Sequence, residues 1–192
     1  MILPVVAYGH PVLRREADDI TADYPELKKL IDDMWATMYH TNGVGLAAPQ
    51  INKSIRLFVV DTVQIVESFD EEDKREYPNE QPIKRVFINA HIVSESGDLW
   101  AYNEGCLSIP KVREDIKRQQ SVTINYLDEH FEEREETFSG ITGRVIQHEY
   151  DHIDGKLFID YIAPLKKRLL KKKLDDISNG KVKVDYRMLF PK

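Results

Sequence analysis

Hydrophobic residues recur at three- and four-residue spacing along residues 25–42. This spacing places them on one face of a helix and therefore predicts an amphipathic helix. Pro25 suits the first helical turn, and Asn42-Gly43 is a typical stop. The apolar positions are Leu27, Leu30, Ile31, Met34, Trp35 and Met38.

Two further helices are predicted in the second half of the chain. Residues 142–153 form one, which Gly155 ends. The other begins near Pro164 and has an opposite, basic face in the run LKKRLLKKK. Such a face is usually solvated, with contact to RNA or a ribosome as the alternative. The apolar face of this third helix comprises Leu165, Leu169, Leu170, Leu174 and Ile177.

Short runs of β-branched or alternating residues predict strands between these helices. They occupy residues 55–61, 85–93, 121–127 and 133–138. The acidic stretch at about 64–84 is predicted to be a solvated loop. Residues 181–190 alternate between polar and apolar positions like an edge strand. Strands and helices without a βαβ rhythm indicate the α+β class.

Composition narrows the possible functions. The chain has 192 residues and a formal net charge of -6, which argues against a general DNA or RNA binder. No run approaches the roughly 20 apolar residues that cross a bilayer, and the first residues lack a basic leader. The single cysteine fits a reducing compartment. We therefore expect a cytoplasmic protein that binds neither DNA nor a membrane.

The strongest chemical motif is His148-Glu149-Tyr150-Asp151-His152, an HExxH sequence on the second predicted helix. Positions i and i+4 of a helix lie on the same face, so both imidazoles can reach one metal ion. Glu149, between them, can reach a water molecule at that ion. Two histidines without a metal on a half-buried helix are the simpler structural alternative.

A catalytic metal site usually has three protein ligands, so a third must come from elsewhere. Phe158 occupies the position of the third histidine in the metzincin spacing, and no glutamate follows Glu149. Cys106, within Glu104-Gly105-Cys106-Leu107-Ser108, is the best candidate because a thiolate binds Zn²⁺ or Fe²⁺ well. Asp160 remains an alternative ligand from the residues alone.

At this point the chain resembles the peptide deformylase family. The segment GVGLAAPQ at 43–50, the segment EGCLS at 104–108 and the segment QHEYDHIDG at 147–155 match three family motifs in the same order. Two longer stretches, GHPVLRREA near the start and IKRQQSVTINYLD after the cysteine, are also similar. We expect one catalytic domain over residues 1–192, with a core at about 4–162 and a C-terminal helix and tail over 163–192.

The resemblance implies a fold and a reaction. The fold would have mixed or antiparallel sheets packed around a central helix that carries HExxH. The reaction would be metal-dependent removal of the formyl group from formyl-methionyl nascent polypeptides, releasing formate. Metal ligation carries over to Cys106, His148 and His152, and the role of acid and base to Glu149.

The resemblance also implies the substrate contacts. Gln50 and the backbone N–H of Leu107 match groups that bind the substrate carbonyl oxygen, and Gly45 matches a backbone contact to the substrate amide. Arg113 and Arg118 fall at basic positions of the family and suggest peptide contacts. For the methionine side chain, the predicted apolar pocket consists of Val44, Val145 and the stem of Arg144.

Mixed cysteine and histidine ligation suits Fe²⁺, Zn²⁺, Ni²⁺ or Co²⁺. The family resemblance favours Fe²⁺ among them. Two rival functions stay open at this stage: an HExxH protease with an unusual third ligand, and a structural metal site on a binding module. A structural site would need no base and would normally use a fourth protein ligand.

Overall fold

The computed structural model describes residues 1–191. The helices are α1 (Leu27–His40), α2 (Val63–Glu67), α3 (Glu71–Glu76), α4 (Gly140–Ile153) and α5 (Pro164–Ser178). The strands are β1 (Val5–Val6), β2 (Gly45–Ala47), β3 (Leu57–Asp61), β4 (Lys84–Cys106), β5 (Ile109–Leu127), β6 (Glu133–Ser139) and β7 (Met188–Leu189). The three long helices and the four predicted strand segments are all present, so the α+β class is confirmed.

Five strands form one antiparallel sheet in the order β2-β3-β4-β5-β6. Strands β4 and β5 make a long hairpin whose tight turn, Leu107–Ser108, separates the paired residues Cys106 and Ile109. Both strands extend well beyond their predicted segments. Residues 94–99 are exposed on both faces of the hairpin, so they lack the apolar alternation by which a strand is recognised.

Helix α4 is the centre of the fold. It contacts β2, β3, β5 and β6, and most of its side chains are buried, polar ones included. Ile141, Val145, Ile146 and Ile153 join the aromatic core of the sheet, where Phe87 packs against Phe58. A polar side chain buried on such a helix must find a partner or serve a function. Residues 148–152 therefore lie where water is largely excluded.

The acidic stretch at 64–84 is not the simple solvated loop that its composition predicts. It contains α2 and α3. Its Glu80 carboxylate accepts hydrogen bonds from the backbone N–H groups of Ile141 (2.8 Å) and Thr142 (2.7 Å). These are first-turn donors of α4, and a carboxylate there satisfies them and interacts favourably with the helix dipole. The stretch thus caps the central helix.

Helix α5 begins at Pro164 as predicted, but its apolar residues do not form one buried face. Leu174 and Ile177 are buried, whereas Leu165 and Leu169 are 68% and 76% exposed. The first half of the helix therefore projects its leucines and lysines into solvent together. Among the described residues, no helix is long and apolar enough to cross a membrane.

The tail after α5 keeps the predicted alternation, although only Met188–Leu189 is a strand. Even-numbered residues from 182 to 190 are partly buried and odd-numbered ones are exposed. β7 pairs in parallel with β1 and forms a separate two-stranded sheet. The tail is extended, but its strand pairs with β1 near the N-terminus rather than with an edge strand of the main sheet.

Candidate metal centre

The hairpin turn and helix α4 bring three candidate ligands together. One ligand atom each from Cys106, His148 and His152 lies within 4.8 Å of the others. The Cys106 Sγ is 3.3 Å from His152 Nε2. Because the histidines are one helical turn apart, both rings reach the same side of α4. Cys106 faces them because it is the last residue of β4 before the turn.

Glu104, two residues before Cys106 near the end of β4, orients one of the candidate ligands. Its Oε2 lies 2.9 Å from His148 Nδ1. Burial alone would raise the pKa of the Glu104 carboxyl, but hydrogen bonds from His148 and Arg118 hold that pKa well below its usual range. An ionised Glu104 favours the proton on Nδ1 of His148 and leaves the Nε2 lone pair free for a metal.

Two buried arginines keep Glu104 in place. Arg118 donates to it at 2.8 Å and also to Asp151 at 2.7 Å. Arg144 donates at 3.1 Å. The Arg118 side chain is only 6% exposed and its guanidinium bonds to Glu104 and Asp151, so its predicted contact with a peptide is wrong. Arg118 instead joins the hairpin to helix α4 beneath the ligands.

Glu149 is buried beside the ligands and lines the main cavity. Its Oε2 atom has no hydrogen-bond partner among the described residues. Burial raises the pKa of the Glu149 carboxyl to about 7. A carboxyl group with such a pKa can both accept and donate a proton near neutrality, as a general acid–base must.

Gln50 lines the same cavity as Glu149 and lies in a short helical turn over Ala48–Ile51. Its side-chain oxygen accepts the N–H of Ala47 at 2.8 Å, which fixes the amide orientation. The amide nitrogen is then directed to the hairpin turn, 3.4 Å from Cys106 Sγ and 3.5 Å from Ser108 Oγ. It therefore presents a donor next to the candidate ligands.

The main cavity measures about 880 Å³ and contains most of the predicted substrate-binding residues. Its lining includes Val44, Gly45, Leu107, Arg113, Arg144 and Val145, together with Gln50, Cys106, His148 and Glu149 but not His152. Arg113 donates to Asn103 at the cavity rim (2.7 Å), where its side chain is accessible. The Arg144 guanidinium is turned away, donating to the Trp100 carbonyl at 2.7 Å, so only its stem is available as a wall.

Several functional residues escaped the sequence reasoning. Ile65 and Ile141 line the cavity, and so does the segment 183–186 after α5. Glu104 could have been found, since it lies only two positions before Cys106 and an acidic group often hydrogen-bonds a metal-binding histidine. The tail residues carry no comparable signal, because their position depends on pairing with β1.

Gly45 lies so close to Glu149 that a side chain cannot be accommodated. A Cβ on Gly45 would lie within 2.7 Å of the Glu149 carboxyl carbon. We expect Gly45→Ala to displace this carboxyl by about 1 Å and to lower kcat by about 10²-fold. Steady-state kinetics with metal analysis test this. A Gly45→Ala enzyme with normal metal content and normal kcat would show that the Glu149 position is not critical.

Comparison with known proteins gives a consistent result. The family model described as polypeptide deformylase matches residues 2–168. A peptide deformylase of Christiangramia forsetii is 53% identical over 191 residues, covering 100% of this chain and 97% of the relative. One of Flavobacterium johnsoniae is 54% identical over 192 residues, covering 99% and 96%.

Solved structures agree with the sequence comparison. The peptide deformylase of Thermus thermophilus has a TM-score of 0.79 at 33% identity, covering 94% of this chain and 99% of that one. The Legionella pneumophila peptide deformylase has a TM-score of 0.78 at 36% identity, covering 94% and 98%. Matching motifs, fold and whole-chain similarity all lead to one conclusion: the chain belongs to the polypeptide deformylase family.

Proposed function

We propose that Cys106, His148 and His152 hold one divalent metal ion and that Glu149, Gln50 and the Leu107 N–H carry out deformylation with it. Family membership makes the chain a hydrolase that removes the N-terminal formyl group from formyl-methionyl nascent peptides. The observation that carries the assignment of residues is the convergence of the three ligand atoms within 4.8 Å, with the partnerless Oε2 of Glu149 in the same cavity wall.

The donor set fits a catalytic metal. One thiolate and two imidazoles suit Fe²⁺, Zn²⁺, Ni²⁺ or Co²⁺, and we favour Fe²⁺ on the family resemblance. Within residues 1–191 the group offers three side-chain ligands, whereas a structural zinc site normally has four. When bound, such an ion supplies a Lewis acid that polarises a carbonyl and lowers the pKa of water. The presence of three side-chain ligands rather than four argues against a purely structural site.

The chain's own residues supply the remaining chemistry. Glu149 takes up the proton of the attacking water at its carboxylate and passes it to the departing amine, which leaves formate and a free N-terminus. The Gln50 amide and the Leu107 N–H donate to the formyl oxygen as negative charge develops there. A fixed donor of this kind is worth about 3 kcal/mol in the transition state.

Substrate selection follows from the shape of the cavity. We propose that Val44, Val145 and the Arg144 stem receive the methionine side chain, while the backbone of Gly45 binds the peptide amide. Arg113 at the rim is placed to contact the peptide beyond methionine. A formyl group carries only hydrogen on its carbonyl carbon, so a tightly packed site would accept it and exclude the methyl group of an acetyl group.

Formate release from a formyl-methionyl tripeptide tests the function directly. We expect turnover of this peptide, much slower turnover of the acetylated peptide and no cleavage within the unblocked one. Hydrolysis of the unblocked peptide at a comparable rate would instead support the HExxH protease. Protein purified without oxygen should be used, because a ferrous ion with a thiolate ligand is oxygen-sensitive.

We further propose that residues 1–192 act as one catalytic domain in the cytoplasm, where nascent chains emerge. One buried cluster contains residues from Val6 to Ile177, with Phe190 packed against it, so both ends of the chain share a core. The exposed basic face of α5 would then contact the ribosome.

The ribosome contact can be tested by charge reversal. We expect an Arg168→Glu/Lys171→Glu protein to lose co-sedimentation with ribosomes, and the binding of the parent to weaken steeply with salt. Both side chains are exposed on α5. Lys28→Glu/Lys53→Glu, an equal charge change at exposed sites elsewhere, is the control. Equal binding of the two variants would contradict a role for α5.

A further inference from the structure

Residues 181–189, here called the C-terminal tail, lie outside the segment 2–168 that the family model matches. The tail nevertheless reaches the catalytic cavity. Lys183, Val184, Asp185 and Tyr186 line that cavity together with Cys106 and Glu149. A segment outside the residues that the family model matches therefore forms one wall of the site.

The tail is anchored at both ends. At its start, the Lys181 N–H donates to the Asp176 carbonyl at 2.8 Å, and Val182 packs against the buried cluster. At its end, the Ala7 N–H donates to the Leu189 carbonyl at 2.8 Å within the β1–β7 pair. A segment fixed at two points in this way holds the residues between them in a defined position.

Between the anchors, the tail bonds to the hairpin turn. The Tyr186 hydroxyl donates to the carbonyl oxygen of Leu107 at 2.8 Å. The other carbonyl of the turn, that of Ser108, accepts the N–H of Tyr8 at 2.8 Å, just after β1. Both carbonyls of the turn are thus held from outside, one by the tail and one by the segment that the tail pairs with.

We propose that Tyr186 is a positioning residue for deformylation, which holds the Leu107–Ser108 turn so that the Leu107 N–H faces the reacting carbonyl. The inference rests on the role proposed above for that N–H. Tyr8 and Gln50 hold the turn through Ser108, whereas the Tyr186 hydroxyl acts on the carbonyl of Leu107, the residue directly after Cys106. A hydrogen-bond donor stabilises the transition state fully only when it is already in position, because moving it into position during the reaction would cost energy.

The Tyr186 hydroxyl can be removed while the ring remains part of the cavity wall. Tyr186→Phe keeps the ring and its packing but deletes the hydrogen bond to Leu107. Because the donor is loosened rather than lost, we expect kcat to fall about fivefold to tenfold, less than for outright loss of a donor. KM should change less than twofold, since the affected contact strengthens mainly in the transition state. Metal content and Tm should stay close to those of the parent.

Tyr126→Phe is the matched control. Its hydroxyl donates to Glu136 at 2.7 Å, and Tyr126 is not among the cavity-lining residues. We expect the Tyr126→Phe enzyme to keep its kcat. A fall of kcat in both variants alike, or a kcat of Tyr186→Phe within twofold of the parent, would overturn the proposal.

Amide hydrogen exchange over residues 104–110 separates this inference from the function on which it rests. Faster exchange in Tyr186→Phe together with lower kcat supports positioning. Unchanged exchange overturns it. Faster exchange at unchanged kcat also overturns the positioning role of Tyr186, and it shows that the Leu107 N–H is not the donor assigned above. Formate release by the parent reports independently on deformylation itself.

Discussion

Glu149→Gln is expected to lower kcat for formate release by about 10²- to 10⁴-fold, the usual contribution of general acid–base catalysis. Glutamine keeps the size of the side chain and cannot exchange a proton in its place. The carboxyl group of the parent is well suited to that exchange because burial raises its pKa to about 7. The metal content should be unchanged, since Glu149 is not among the three candidate ligands.

The measurement is single-turnover formate release alongside metal analysis of the same preparation. Glu129→Gln, a change of the same type at an exposed loop position, is the control and should keep full activity. Near-normal turnover by the Glu149→Gln enzyme would show that another group handles the proton. Loss of metal in that variant would instead give Glu149 a role in ligation.

Cys106→Ser is expected to have the second large effect, on metal retention. A serine hydroxyl has nearly the shape of the thiol but stays protonated at neutral pH, so it is a poor ligand for these ions. Loss of an outer-shell partner already costs about 10- to 100-fold in metal affinity, and loss of a direct ligand should cost about 10²-fold or more. Deformylation should fall in parallel with metal content.

A spectroscopic readout makes this prediction independent of activity. The Co²⁺-substituted parent should show a thiolate-to-metal charge-transfer band, which Cys106→Ser should lack. The Glu149→Gln protein, which keeps the thiol, is the reference that retains the band. If Cys106→Ser bound metal as tightly as the parent, the third ligand would have to be another residue, for which Asp160 was the alternative. The Asp160 carboxylate, however, pairs with Arg14 at 2.6 Å.

Two of the candidate ligands could be predicted from a local signal, and the third from the family resemblance. Two histidines one helical turn apart meet on any helix, and the segment around Cys106 carries a recognisable motif. Helices α1, α4 and α5 begin or end within two residues of their predicted limits, because amphipathic spacing and stop residues are local as well.

What could not be predicted depends on contacts between distant segments. The acidic stretch looks like solvent-exposed chain until Glu80 is seen on the N-terminus of α4. Arg118 looks like a surface base until Glu104 and Asp151 are found around it. The exposed, mostly polar hairpin residues 94–99 become a strand through pairing with β5, which no property of those residues alone indicates.

The β1–β7 pair has a consequence for how the enzyme is made. All three candidate ligands lie between residues 106 and 152. Strand β1, which begins at Val5, pairs with Met188, which lies almost at the other end of the chain. Contacts so far apart in sequence form late, since loop closure must precede them. During synthesis, the ion could therefore be captured before the Leu107–Ser108 turn gains its outer support, so metal loading would precede full activity.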